Sequence, residues 1–153
     1  MAENDEILID KILNKILKSS AGIRYVILVD RAGFPIAYQI KFKTNENEYI
    51  ERIGAISGAV FQAIEEQGEM MVYGSTISQI TEYDKGYIFS MATGSGILSI
   101  ITEKNINMGL ILNLMKKYRN TISEILNRYL KQDQDEVSKE LRKLFDQTEV
   151  NIL

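Results

Sequence analysis

Apolar residues along this chain alternate between a spacing of three to four and shorter continuous or alternating runs, and the switches divide it into helices and strands. The stretch that organises the rest is Glu46 to Gln67, ENEYIERIGAISGAVFQAIEEQ. Ile50, Ile53, Ile56, Val60, Phe61 and Ile64 fall there at mainly three- and four-residue intervals, which predicts an amphipathic helix. Between them lie Gly54, Ala55, Ser57, Gly58 and Ala59. An interior glycine costs a helix about 1 kcal/mol against alanine, so this density of small residues weakens the helix taken alone. It also lets another backbone come close. Two readings follow: a core helix that tolerates its glycines, or a helix with two packing surfaces, one for its own sheet and one for a second copy of the chain.

On either side of this helix the pattern is equally regular. Residues 5 to 19 predict a first helix, with Ile9, Ile12, Leu13, Ile16 and Leu17 on one stripe and Asn4 or Asp5 as its cap. Ile23 to Asp30, IRYVILVD, is apolar on both faces and predicts a central strand. Asp30 to Gly33 is a tight turn, and Phe34 to Phe42 returns as a second strand with the single proline, Pro35, at its start. Lys43 to Glu48 is a polar loop. After Gly68, Met71 to Tyr83 is a half-polar strand of the kind found at a sheet edge. Turns at Asp84–Gly86 and Gly94–Gly96 then lead to strands Tyr87 to Thr93 and Ile97 to Thr102. Asn105 to Leu130 is a long amphipathic helix with Asn107 as its cap, followed by a polar linker, Lys131 to Glu136. Val137, Leu141, Leu144 and Phe145 then mark a short amphipathic helix too brief to stand alone. The division expected is a domain at 1–131 and a linker with its short helix at 132–153. The order helix, two strands, helix, three strands, helix defines an α+β layer fold built on an antiparallel sheet.

Composition narrows the function classes. At 153 residues the chain suits one domain, and a domain of this size buries roughly 70% of its unfolded surface without needing a staple. It has neither cysteine nor histidine, so thiolate catalysis, histidine-based triads and Cys/His metal sites are excluded, and the absence of cysteine suits a reducing cytoplasm. The net charge is −3 with both signs interspersed, which offers no basic footprint for nucleic acid. No apolar run approaches the ~20 residues that span a bilayer, so no direct membrane insertion is expected. Gly94-Ser95-Gly96 joins two strands and opens no helix, unlike a phosphate-binding loop. Glu65 and Glu66 are adjacent and point apart on a helix. Asp133, Asp135 and Glu136 lack the glycine and the later glutamate of a calcium loop. No catalytic constellation, metal site or cofactor site is expected, which points away from an enzyme. The isoleucine-, lysine- and glutamate-rich composition suits a prokaryote, archaeal or bacterial.

Several phrases resemble the roadblock/LC7 family: Gly22-Ile23 leading to Leu28-Val29-Asp30-Arg31-Ala32-Gly33-Phe34-Pro35-Ile36-Ala37, the small-residue helix at Gly54 to Ala63, the strand pair after Tyr87, and Asn107-Met108-Gly109-Leu110. The resemblance covers about residues 5 to 130. It implies a profilin-like sheet of five antiparallel strands, with the second helix on one face and the first and last helices on the other. It also implies pairing with a second copy or a paralogue through the second helix and the edge strand. The residues expected at that interface are Ile50, Ile53, Gly54, Ser57, Gly58, Phe61, Ile64, Val72, Ser75 and Ile77. The function implied is a non-enzymatic dimeric platform for a Ras-like small GTPase, as activator or scaffold. The tail resembles the C-terminal extension with which some bacterial members grip their GTPase, making Val137, Leu141, Leu144 and Phe145 its binding residues. From the pattern alone that tail docks on its own domain, on a dimer mate or on a partner. Two other functions compete: a small-ligand sensory module of profilin- or PAS-like type, and a trafficking or motor adaptor without a GTPase.

Overall fold

The computed structural model describes residues 3–42 and 47–152. Its elements are α1 (Glu3–Lys18), β1 (Ile23–Asp30), β2 (Pro35–Ile40), α2 (Asn47–Met70), β3 (Ser78–Tyr83), β4 (Gly86–Thr93), β5 (Gly96–Glu103) and α3 (Met108–Ile152). The five strands form one antiparallel sheet in the order β2-β1-β5-β4-β3. The doubly apolar run of β1 is explained by its position inside the sheet, between β2 and β5, with helices covering both of its faces.

Alternation along β1 splits the core into two layers. Val26 and Leu28 join Phe89, Met91, Leu98 and Ile100 beneath the stripes of α1 and α3. Ile27 and Val29 point the other way, to Ile50 and Phe61 of α2 together with Ala92 and Ile97. The first and last helices therefore share one face and the second helix covers the other, as expected. Neighbouring strands reverse through two-residue hairpins at Asp84-Lys85 and Gly94-Ser95. Gly33 at φ +91° closes the β1–β2 turn, which Asp30 Oδ1 braces by accepting from the amides of Ala32 and Phe34 at 3.0 and 2.9 Å.

Four boundaries differ from expectation. Helix α1 begins at Glu3, so Asn4 and Asp5 lie in its first turn, where acidic residues favour the helix dipole. Helix α2 continues through Gly68 to Met70, and β3 begins only at Ser78. Residues 71–77 are therefore a connection and not part of an edge strand. Helix α3 is continuous from Met108 to Ile152, so the polar run 131–136 is helical and no loop separates a short tail helix. That run contains no glycine or proline and is rich in helix-forming Lys, Gln and Glu. Its polarity reflects a solvent-facing helix. The cap expected at the start of α3 is present, with the Leu110 amide donating to Asn107 Oδ1 at 3.1 Å. Of the loop expected before α2, Lys43–Glu46 lies outside the described residues.

Candidate functional site

Small residues decide how α2 sits. A Cβ on Gly58 would meet the Gly33 Cα at 2.8 Å, and one on Gly54 would meet the Gly33 carbonyl oxygen at 2.8 Å. The two glycines thus bring α2 into backbone contact with the β1–β2 turn of its own chain. Arg31, in the same turn, locks the arrangement. Its guanidinium donates to Glu65 Oε1 and to the Gly94 carbonyl, both at 2.8 Å, and lies 5.5 Å from the centre of the Phe61 ring.

Burial within the chain separates the residues expected at the interface. Ile50, Gly54, Gly58 and Phe61 are buried within the chain and present no surface to a second copy. Ile53, Ser57 and Ile64 are half-buried. The outward face of α2 carries a different set: Ile56 and Val60, 62% and 40% exposed, beside Ala55, Ala59 and Ala63. Those three alanines recur every four residues, forming a shallow stripe over which another helix can approach closely. The sequence carries a signal for this face, but spacing merges glycines and alanines into one stripe where the structure separates them into two.

Beside α2 lies the connection 71–77. Val72 and Tyr73 are 90% and 80% exposed, and Ser75 and Ile77 are exposed as well. Strand β3 follows as the outer strand of the sheet, paired only with β4. Its far end is clamped by Lys104, whose ammonium donates to Glu82 Oε2 at 2.5 Å, while the Tyr87 hydroxyl donates to the same oxygen at 3.0 Å. The bonds from Lys104 and Tyr87 hold the Glu82 carboxyl below its ordinary range, and Glu82 in turn holds the Lys104 ammonium above its own. The chain therefore passes from an apolar helix face through an apolar connection, where Ile64 and Gln67 share a cavity with Met71 and Tyr73 to Ser78, into the outer strand of the sheet. Val137, Leu141, Leu144 and Phe145 lie apart from these, exposed on the far half of α3.

Among the described residues no three His, Cys, Asp or Glu side chains are grouped so as to hold a metal ion. No described helix is long and apolar enough to cross a membrane.

Sheet order, helices on both faces and the element sequence together define a roadblock/LC7-type, profilin-like fold. The gliding protein MglB from Thermus thermophilus superposes with a TM-score of 0.75 over 84% of this chain and 95% of that one, at 12% identity. A roadblock/LC7 domain from Streptomyces avermitilis superposes with a TM-score of 0.70 over 76% and 96%, at 11% identity. The chain belongs to the family described as mitogen-activated protein kinase kinase 1 interacting, whose pattern matches residues 8–129. In sequence it is similar to the archaeal protein MJ0310 of Methanocaldococcus jannaschii, 29% identical over 110 residues that make up 72% of this chain and 92% of the relative.

Proposed function

We propose that the protein is a dimeric, non-enzymatic platform that binds a Ras-like small GTPase, as regulator or scaffold, in the cytoplasm. The observation that carries this reading is the outward face of α2, Ile56 and Val60 with the Ala55, Ala59 and Ala63 stripe, on the helix that leads through residues 71–77 into the outer strand β3. On a fold of the roadblock/LC7 type, such a face together with such an edge suits a second copy, or a paralogue, packed helix to helix and strand to strand. Uniting the two sheets would cover an edge that is otherwise a hazard for uncontrolled pairing. Two copies joined in this way present a broad composite surface to a third protein. The likeness to MglB and the roadblock/LC7 resemblance together favour a GTPase as that protein. The domain proper ends near Lys131, with residues 132–153 an appended arm for contacts outside it.

The test is capture of a Ras-like GTPase from a lysate of the source organism on immobilised protein, with GDP or with a non-hydrolysable GTP analogue. Capture only with the analogue identifies an effector or activator, and capture in both states identifies a constitutive scaffold. If no GTPase is retained in either state, the reading fails.

A further inference from the structure

Besides its apolar and alanine positions, the outward face of α2 carries two exposed side chains of opposite charge, Arg52 and Glu66. Each stands seven residues from Ala59, Arg52 before it and Glu66 after it. Seven residues make nearly two helical turns, so both lie within about 20° of the line through Ala59 and about 10 Å from it along the axis. Ala55 and Ala63 flank Ala59 in the same way, four residues to either side. Among the described residues neither Arg52 nor Glu66 enters an ion pair, whereas the neighbouring Glu65 is held by Arg31.

Such a face is its own complement under a two-fold axis, provided the two helices run in opposite directions. With both Ala59 positions on the axis, Arg52 of each copy falls opposite Glu66 of the other, and Ala55 opposite Ala63. Of the other acids on the helix, Glu48 falls opposite Met70, Glu51 opposite Gln67 and Glu69 opposite Tyr49, so no two like charges stand directly across from each other. Other arrangements lose this match. Sliding one helix by four residues sets Glu48 against Glu66 in one direction and Glu66 against the apolar Ile56 in the other. A parallel pair sets Arg52 against Arg52 and Glu66 against Glu66.

We infer that α2 pairs with the α2 of a second copy of this chain, antiparallel and centred on Ala59, with two symmetry-related Arg52–Glu66 ion pairs fixing direction and register. This rests on the α2 contact proposed above and carries it further, since it selects a second copy over a paralogue that lacks the same charge spacing. Exposed ion pairs add little strength singly. Their part is to penalise wrong registers and wrong partners, in which like charges are brought together.

Charge exchange on the full-length chain tests the pairing. Arg52→Glu sets acid against acid at both ends of the contact and should weaken the dimer about tenfold in sedimentation equilibrium. Arg52→Glu/Glu66→Arg reverses both members of each pair and should restore it. Mixed with the wild-type chain, this doubly exchanged chain should pair with itself and not with wild type, as counted by native mass spectrometry. A parallel pair gives the reverse, because only mixed dimers then match charges. The chain has no cysteine, so introduced ones report the register cleanly. Ala59→Cys should form a disulfide with itself, and Ala55→Cys with Ala63→Cys. Ala55→Cys should not link to itself, since those positions stand about 12 Å apart along the axis, beyond disulfide reach. Circular dichroism checks that each variant is folded. A dimer that Ile56→Asp/Val60→Asp dissociates but that ignores Arg52→Glu, or whose exchanged and wild-type chains mix freely, overturns the inference and leaves the α2 contact standing. A monomeric wild-type chain at micromolar concentration, or a dimer indifferent to both sets of substitutions, overturns both.

Discussion

Val72 shows most plainly what a single residue does here. It is the non-glycine residue with positive φ, at 59°, among those described. The cause is local. The Tyr73 amide donates to the Gly68 carbonyl at 2.8 Å and the Val72 amide to that of Glu69 at 3.0 Å, a bond pattern that closes a helix with a left-handed residue after its last turn. Glycine usually occupies that place, and a β-branched side chain there is strained. Val72→Gly should therefore raise stability by about 1 kcal/mol, seen as a rise of ~2–4 °C in Tm. The same geometry explains why the end of α2 is not legible in the sequence: Gly68 looks like a terminator but lies inside the final turn, and Val72 takes the place glycine usually fills. Gly58 gives the opposite prediction. Alanine there would gain about 1 kcal/mol of helix propensity, but its Cβ would meet the Gly33 Cα and N at 2.8 and 2.9 Å. Overpacking against backbone costs roughly 1–3 kcal/mol, so Gly58→Ala should lower Tm in a thermal melt.

Among the elements, α2 is legible as a helix but not in its orientation. Period alone marks which residues are apolar or small, and cannot tell whether glycine or alanine faces the sheet. Contact with the β1–β2 turn settles it, because only glycine fits against Gly33. Helix α3 departs from expectation for a related reason: polarity at 131–136 has the look of a linker, yet without glycine or proline nothing interrupts the helix. Because the side chains described between Asp133 and Gln147 are exposed, residues 1–131 should fold without them, with a Tm within a few degrees of the full chain when both are measured dilute. The clamp at the end of β3 has its own signature. Glu82 should titrate, by carboxyl NMR, below the ordinary 4.5, with Lys104→Gln moving it back up. Because its folded value is lowered, the clamp's contribution is present above that ordinary value and is lost as the pH falls through the folded one.

For the whole molecule, most of the architecture can be read in advance. The doubly apolar β1, the two short hairpins and the Asn107 cap each carry a local signal, and together they leave little choice of topology. What sequence cannot supply is which faces the folded chain leaves over, since that depends on how α2 and α3 pack. Those faces carry the functional account: the outer stripe of α2 and the open edge of β3 as the surface for a second copy. Sedimentation equilibrium on residues 1–131, which lack the C-terminal arm, measures that contact most directly, with Ile56→Asp/Val60→Asp compared in the same truncated chain. The account predicts a dimer at micromolar concentration that the double substitution converts to monomer without loss of helical signal. A truncated chain that sediments as a monomer, or a dimer indifferent to the two aspartates, would contradict it.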